Sequence, residues 1–222
     1  MDHKPNQLKK PLMIIFLFAT AVIGCNKEVA FKNSNEELQT ASAGSSLEAN
    51  GNSPAAHISA SENLAIPASI SIPENLPNGN SRVATYYAVG VQKYKARIKA
   101  ESDPEVYEWV FVAPEADLYD INNEKVGTHG AGPFWQISPL DLIFGQQFTP
   151  AKSSPSENPE SIDWLLLMPK IGTTPTGIFD GVDYIQRIAT KGGKAPSTPP
   201  SDINETIEVK YKAVYRFTKI NL

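Results

Sequence analysis

Thr206-Ile207-Glu208-Val209-Lys210-Tyr211-Lys212-Ala213-Val214-Tyr215-Arg216-Phe217-Thr218 alternates in side-chain character with a period of two. Ile207, Val209, Tyr211, Ala213, Tyr215 and Phe217 fall on one face, and Glu208, Lys210, Lys212, Arg216 and Thr218 mostly on the other. In extended backbone successive Cβ atoms point to opposite sides, so the pattern predicts a half-buried antiparallel strand with a solvated face. Working back along the chain, Val106–Val112 does the same, with Tyr107, Trp109 and Phe111 on one face. Strands are also predicted at Tyr86–Ala96, Ala116–Asp120, Lys125–His129, Phe134–Ile137, Trp164–Met168 and Val182–Thr190, with Asn122-Asn123 as a hairpin turn. Trp164–Met168 is apolar on both faces and is expected to lie centrally. Pro150, Pro155, Pro159, Pro175, Gly192-Gly193 and the run Pro196–Pro200 punctuate the connections. No stretch of ten or more residues carries a helical period. Many short strands without helices predict an all-β fold, a single antiparallel β-sandwich or barrel-like domain.

The other end of the chain reads differently. Lys4, Lys9 and Lys10 precede an uncharged apolar run, Leu12–Gly24, which is shorter than the roughly 20 residues of a membrane-spanning helix. A basic start, a short apolar core and small residues at its end describe an export signal over residues 1–24. Val22-Ile23-Gly24-Cys25 resembles the lipobox of bacterial lipoproteins. The resemblance implies cleavage before Cys25 and acylation of its sulfur and of the new amino terminus. Several acyl chains, at about 0.8 kcal/mol per buried CH₂, hold a protein stably to a membrane. Asn26 stands where an aspartate would retain a lipoprotein at the inner membrane, so the expected address is the cell envelope, at the outer membrane.

Residues 25–61 are rich in Ser, Asn, Ala, Glu and Gly, with Phe31 the sole Phe, Tyr or Trp. Such a composition buries too little apolar surface to offset the entropy of ordering, and predicts a flexible tether. The domain is then residues 62–222. Cys25 is the only cysteine, so no internal disulfide can form. A formal charge of −4 argues against a nucleic-acid partner, which calls for a basic footprint.

Several segments together resemble a family of secreted bacterial and fungal proteins catalogued as a domain of unknown function. They are Gly90-Val91-Gln92-Lys93-Tyr94, Trp109–Leu118, Val126–Trp135, Trp164–Leu167, Tyr184–Pro196 and Tyr211–Phe217. The chain departs from that pattern at Ala96 and in Ser197–Pro200, where relatives carry cysteines, and at Ser138-Pro139-Leu140-Asp141, where they carry Asp-Gly-Ser. Some fungal relatives bear the label malate dehydrogenase. A nicotinamide dinucleotide needs a strand, a Gly-x-Gly-x-x-Gly turn and a helix N-terminus. The nearest string here, Gly127-x-x-Gly130-x-Gly132, has the wrong order and no helix behind it.

Four polar residues stand out for chemistry. His129 is the only histidine of the predicted domain, and Gly130-Ala131-Gly132-Pro133 after it leaves its ring free to face a cleft as a general base or to fix a turn. Glu115, Gln186 and Arg187 lie in apolar surroundings, where charges are rarely buried unpaired. Two readings compete: a polar pocket in which Glu115, His129, Gln186 and Arg187 converge on a ligand, or a Glu–Arg pair that pins two strands. Trp135, after a Gly-Pro turn, joins the candidate ligand-binding set, and Trp109, Trp135 and Trp164 are candidates for a sugar-stacking platform. Lys191-Gly192-Gly193-Lys194 reads as an anion cradle or a solvated loop. With no second His or Cys in the domain, a three- or four-ligand zinc site is not expected, and no cofactor is implied. No Gly-x-Ser-x-Gly elbow or activated cysteine offers a nucleophile. The expected function is non-catalytic binding of a small molecule, a glycan or a protein by a lipid-anchored envelope protein. The alternative is an acid–base enzyme using His129 with Glu115 or Arg187.

Overall fold

The computed structural model describes residues 51–101 and 106–222; the export signal, Cys25 and the tether as far as residue 50 lie outside the described residues. Eight strands, β1 (Asn80–Ile98), β2 (Tyr107–Tyr119), β3 (Lys125–Gly130), β4 (Phe134–Ser138), β5 (Asp141–Ser154), β6 (Trp164–Pro169), β7 (Tyr184–Gly192) and β8 (Thr206–Ile220), run antiparallel in sequence order. β8 returns to pair with β1, so the sheet closes into a barrel. Of the two predicted all-β architectures, the chain adopts the barrel. Closure removes most of the free edge that a single open sheet would expose.

The predicted alternation sets the inner wall. Tyr211, Ala213, Tyr215 and Phe217 of β8 point inward with Tyr86 and Ala88 of β1, Trp135 of β4, Ile143 of β5 and Ile185 of β7. Trp164–Met168 is apolar on both faces because Leu165 and Leu167 belong to this interior, whereas Trp164 and Leu166 belong to a second, external cluster. Gly90 lets β1 and β2 come together: a Cβ there would sit 2.0 Å from the Glu115 carbonyl oxygen.

The external cluster lies under the segment that precedes β1. Pro54–Ser61 forms a short helix, α1, capped by Ser53, whose Oγ accepts a hydrogen bond from Ala56 N–H at 3.2 Å, with proline in its first turn. Its buried Ile58 and Ile70 of the following 3-10 turn, Ala68–Ile70, pack on Tyr87, Leu166, Ile188 and Val214. α1 thus falls within the stretch expected as tether, residues 25–61, and packs on the barrel. The helix also changes the expected solvated face of β8. Val214 and Arg216 are buried, and Arg216 Nη2 donates to the Ser61 carbonyl at 2.6 Å.

The β3–β4 hairpin is short, and this shapes the upper half of the barrel, the end that carries the loops after β3, β5 and β7. β2 pairs with β1 along its whole length, but with β3 only from Ala116 to Tyr119. β5 pairs with β4 only from Asp141 to Phe144, and beyond Gly145 only with β6. The facing edges of β2 above Ala116 and of β5 above Gly145 thus have no strand between them. The barrel wall has a side opening there.

Candidate functional site

A cavity of about 400 Å³ fills the upper interior and reaches this opening. That volume is within the range of small-molecule sites. Phe111, Val112 and Pro114 of β2 line one side of it, Gln146 and Gln147 of β5 another, and Gly132-Pro133 of the β3–β4 turn, His129 and Trp135 also border it. Gln92 and Tyr94 of β1, Ile162 just before β6, Leu165 and Leu167 of β6, Arg187 of β7 and Tyr215 of β8 complete the wall. Phe111 and Val112 are half exposed at the rim, at 50% and 52%. Tyr94 packs edge-on against Phe111 and donates its hydroxyl to the Gly193 carbonyl at 2.6 Å.

His129 and Trp135 face each other across the β3–β4 ladder, which stacks the imidazole on the indole at 4.6 Å between centroids. His129 Nδ1 lies 2.7 Å from the Phe134 carbonyl oxygen. A carbonyl only accepts, so Nδ1 carries the proton and Nε2 is an acceptor. Tyr215 Oη, 3.1 Å from Nε2, must then donate to it. Burial, reinforced by the positive charge of Arg187 and opposed by the Phe134 hydrogen bond, pushes the His129 pKa down to about 3. The ring is neutral at physiological pH. Burial also raises the Tyr215 hydroxyl above its ordinary value.

Arg187 is held by the Asp163 carbonyl, which accepts from Nε at 3.1 Å and Nη2 at 2.8 Å. No ion pair among the described residues involves it. Two buried donors on the cavity wall, Gln92 Nε2 and Trp135 Nε1, have no hydrogen-bond partner. Tyr211 Oη, beside Gln92 and Tyr215, makes no bond of proper geometry with either. Unpaired buried donors cost about 1–3 kcal/mol each, and such groups in native proteins are normally met by water or ligand.

The structure therefore brings three of the five sequence candidates, His129, Trp135 and Arg187, to one cavity and sends the other two elsewhere. Ala116 pairs with His129 across β2 and β3 and shares its inward direction, so Glu115, one residue back, points out. It pairs with Lys93, which also reaches Glu208. Gln186, adjacent to inward Arg187, likewise points out, and its Nε2 donates to the Ile70 carbonyl at 2.9 Å. No Glu115–Arg187 pair exists. The three tryptophans form no common platform: Trp109 Nε1 donates to the Thr198 carbonyl at 2.9 Å, Trp135 is interior and Trp164 packs in the external cluster. The Gly192 N–H, offered as part of an anion cradle, donates to Ser161 Oγ. Ser138–Asp141 is the β4–β5 turn at the lower end, closed by the Ser138 hydroxyl on the Asp141 carboxylate at 2.5 Å, away from the cavity. No group of three or more His, Cys, Asp or Glu among the described residues is placed to hold a metal.

Gln92, Tyr94, Tyr211 and Tyr215 were missing from the sequence candidates. Tyr211 and Tyr215 stood on the predicted inner face of β8, and Gln92 and Tyr94 keep the inward parity of Tyr86 and Ala88. A polar side chain on an otherwise apolar inner face was the available signal.

The molecule is thus a small antiparallel β-barrel with a cavity that opens through its wall. By sequence the chain belongs to the DUF3455 family of proteins of unknown function, which it matches over residues 77–219. The match begins after the 3-10 turn, so α1 lies outside it although it packs on the barrel. No curated protein and no solved structure matches the chain.

Proposed function

We propose that this protein is a non-catalytic binder of a small molecule, which enters the upper barrel through the gap between β2 and β5. The observation that carries the reading is the pairing of apolar walls with buried, unpartnered donors, Gln92 Nε2 and Trp135 Nε1, around a cavity of ligand size. The arrangement is poor in acid–base equipment. His129 is neutral, its Nε2 is occupied by Tyr215, and the Glu115 carboxylate is on the other side of the wall. Proton transfer needs hydrogen-bond reach or a bridging water. The Val22–Cys25 motif supports a further part of the proposal: the barrel is displayed from the bacterial envelope, at the outer membrane, by lipid on Cys25.

Two measurements test these statements. A thermal-shift screen of the full chain in detergent against neutral and charged metabolites should yield ligands that raise the melting temperature of the wild type. Val112→Trp, which fills the half-exposed mouth without touching the core, should abolish those responses and leave the unliganded melting temperature within a few degrees. Ligands that stabilise both proteins equally would place binding outside the cavity. Incorporation of labelled palmitate into the wild type but not into Cys25→Ala tests the anchor, and equal incorporation would refute it.

A further inference from the structure

Among the described residues, Arg187 is the only charged one on the cavity wall; no carboxylate and no second cation of theirs lines it. Its positive charge reaches His129, Tyr94, Tyr211 and Tyr215 alike, and no acidic side chain acts on those four groups. Arg187 is only partly buried and its fork meets a neutral carbonyl rather than a carboxylate, so its charge is open to an anion that enters the cavity. The Asp163 carbonyl accepts from Nε and Nη2 and so holds the fork in place.

We propose that the cavity takes a small aromatic carboxylate, with its anionic group on Arg187 and its flat body against Phe111 and Tyr94. The proposal rests on the ligand-binding reading above and specifies its chemistry. One guanidinium matches one carboxylate, which it recognises through directed N–H···O bonds. A phosphate dianion would leave net negative charge in a site with no second cation. Ile162, Leu165 and Leu167 give the wall an apolar stretch that suits a ring.

The test compares benzoate and indole-3-acetate with benzamide and indole-3-acetamide, by calorimetry on the full chain in detergent, with wild type, Arg187→Gln and Arg187→Lys. The acids should bind wild type at least about tenfold more tightly than their amides, the scale of a charge-assisted hydrogen bond. Arg187→Gln should remove that preference and leave amide affinity within about twofold; Arg187→Lys should keep part of it. Should Arg187→Gln fail to fold, by circular dichroism, the acid-to-amide ratio of the wild type decides alone. Equal acid and amide affinity, both lost in Val112→Trp, would overturn the anion assignment and leave the binding cavity standing. No binding of either acid at millimolar concentration would overturn it too, and the metabolite screen would then decide whether the cavity binds anything.

Discussion

Tyr215 Oη and His129 Nε2 lie 3.1 Å apart on strands that are not neighbours in the barrel, β8 and β3, so one hydrogen bond spans the interior. The Phe134 carbonyl fixes the proton on Nδ1, and the bond is lost if Nε2 is protonated. The relationship is thus sensitive to acid. It binds the wall together in the same place where the cavity needs a rigid floor.

The sign of that sensitivity follows from the His129 pKa, about 3 when folded against an ordinary 6.5. Below pH 6.5 the unfolded imidazole takes a proton that the folded one refuses, so stability falls as pH drops through the window from 6.5 to about 3. The slope is about 1.4 kcal/mol per pH unit. Urea denaturation of wild type and His129→Gln should show the wild type losing about 2–3 kcal/mol more than the variant between pH 6.5 and 4.5. His57, also held below its ordinary value by burial, contributes in both proteins and drops out of the difference. Parallel pH profiles would contradict the buried neutral ring.

Ile58 tests whether α1 is part of the domain. It is buried against the outer cluster with Tyr87 and Val214. Ile58→Ala should lower unfolding stability by about 2–4 kcal/mol, the range for removing a buried branched side chain. A change below about 0.5 kcal/mol in chemical denaturation would mean that the helix is a loose appendage.

Gln186 and Glu115 separate structural from ligand roles. Gln186→Leu leaves the Ile70 carbonyl unpaired beneath the 3-10 turn and should destabilise by about 1–3 kcal/mol. Glu115→Gln removes an exposed ion pair with Lys93 and should leave the denaturation midpoint nearly unchanged. Neither should alter the affinity of a cavity ligand by more than about twofold, since both side chains are outside the wall. A tenfold loss for either, in calorimetry on folded protein, would return that residue to the site.

Gly90 reports on the β1–β2 approach. A methyl group there would sit 2.0 Å from the Glu115 carbonyl oxygen and 2.5 Å from Ala116 Cα, both backbone atoms that cannot turn aside. Gly90→Ala should therefore destabilise strongly, by more than about 2 kcal/mol, through overpacking. A variant of wild-type melting temperature would show that the two strands separate easily.

What the sequence made readable was the wall. Period-two patterns marked β8 and the first half of β2, because an inner apolar face is fixed by the pleat, and a run apolar on both faces marked β6. β5 carried no such mark: Gly145-Gln146-Gln147 and Pro150 break its alternation, Gly145 because the Trp135 indole lies over it and the glutamines because they border the cavity and a loop rather than solid core. α1 was invisible for a different reason. With Ile58 its only large buried side chain, it has no apolar stripe, and tertiary contact rather than amphipathicity holds it. Choosing polar residues in apolar segments found Arg187 but could not assign direction. Gln186 and Arg187 are neighbours with opposite fates, and only strand register tells them apart.

The short hairpin that opens the wall also gives the barrel an orientation relative to its own chain. Ala55 N–H donates to Asn123 in the β2–β3 turn, so the polypeptide enters the described domain at the lower end, while the cavity lies in the upper half. Side chains of α1 and of the β2–β3 turn can therefore be altered without reaching the half of the barrel that receives a ligand.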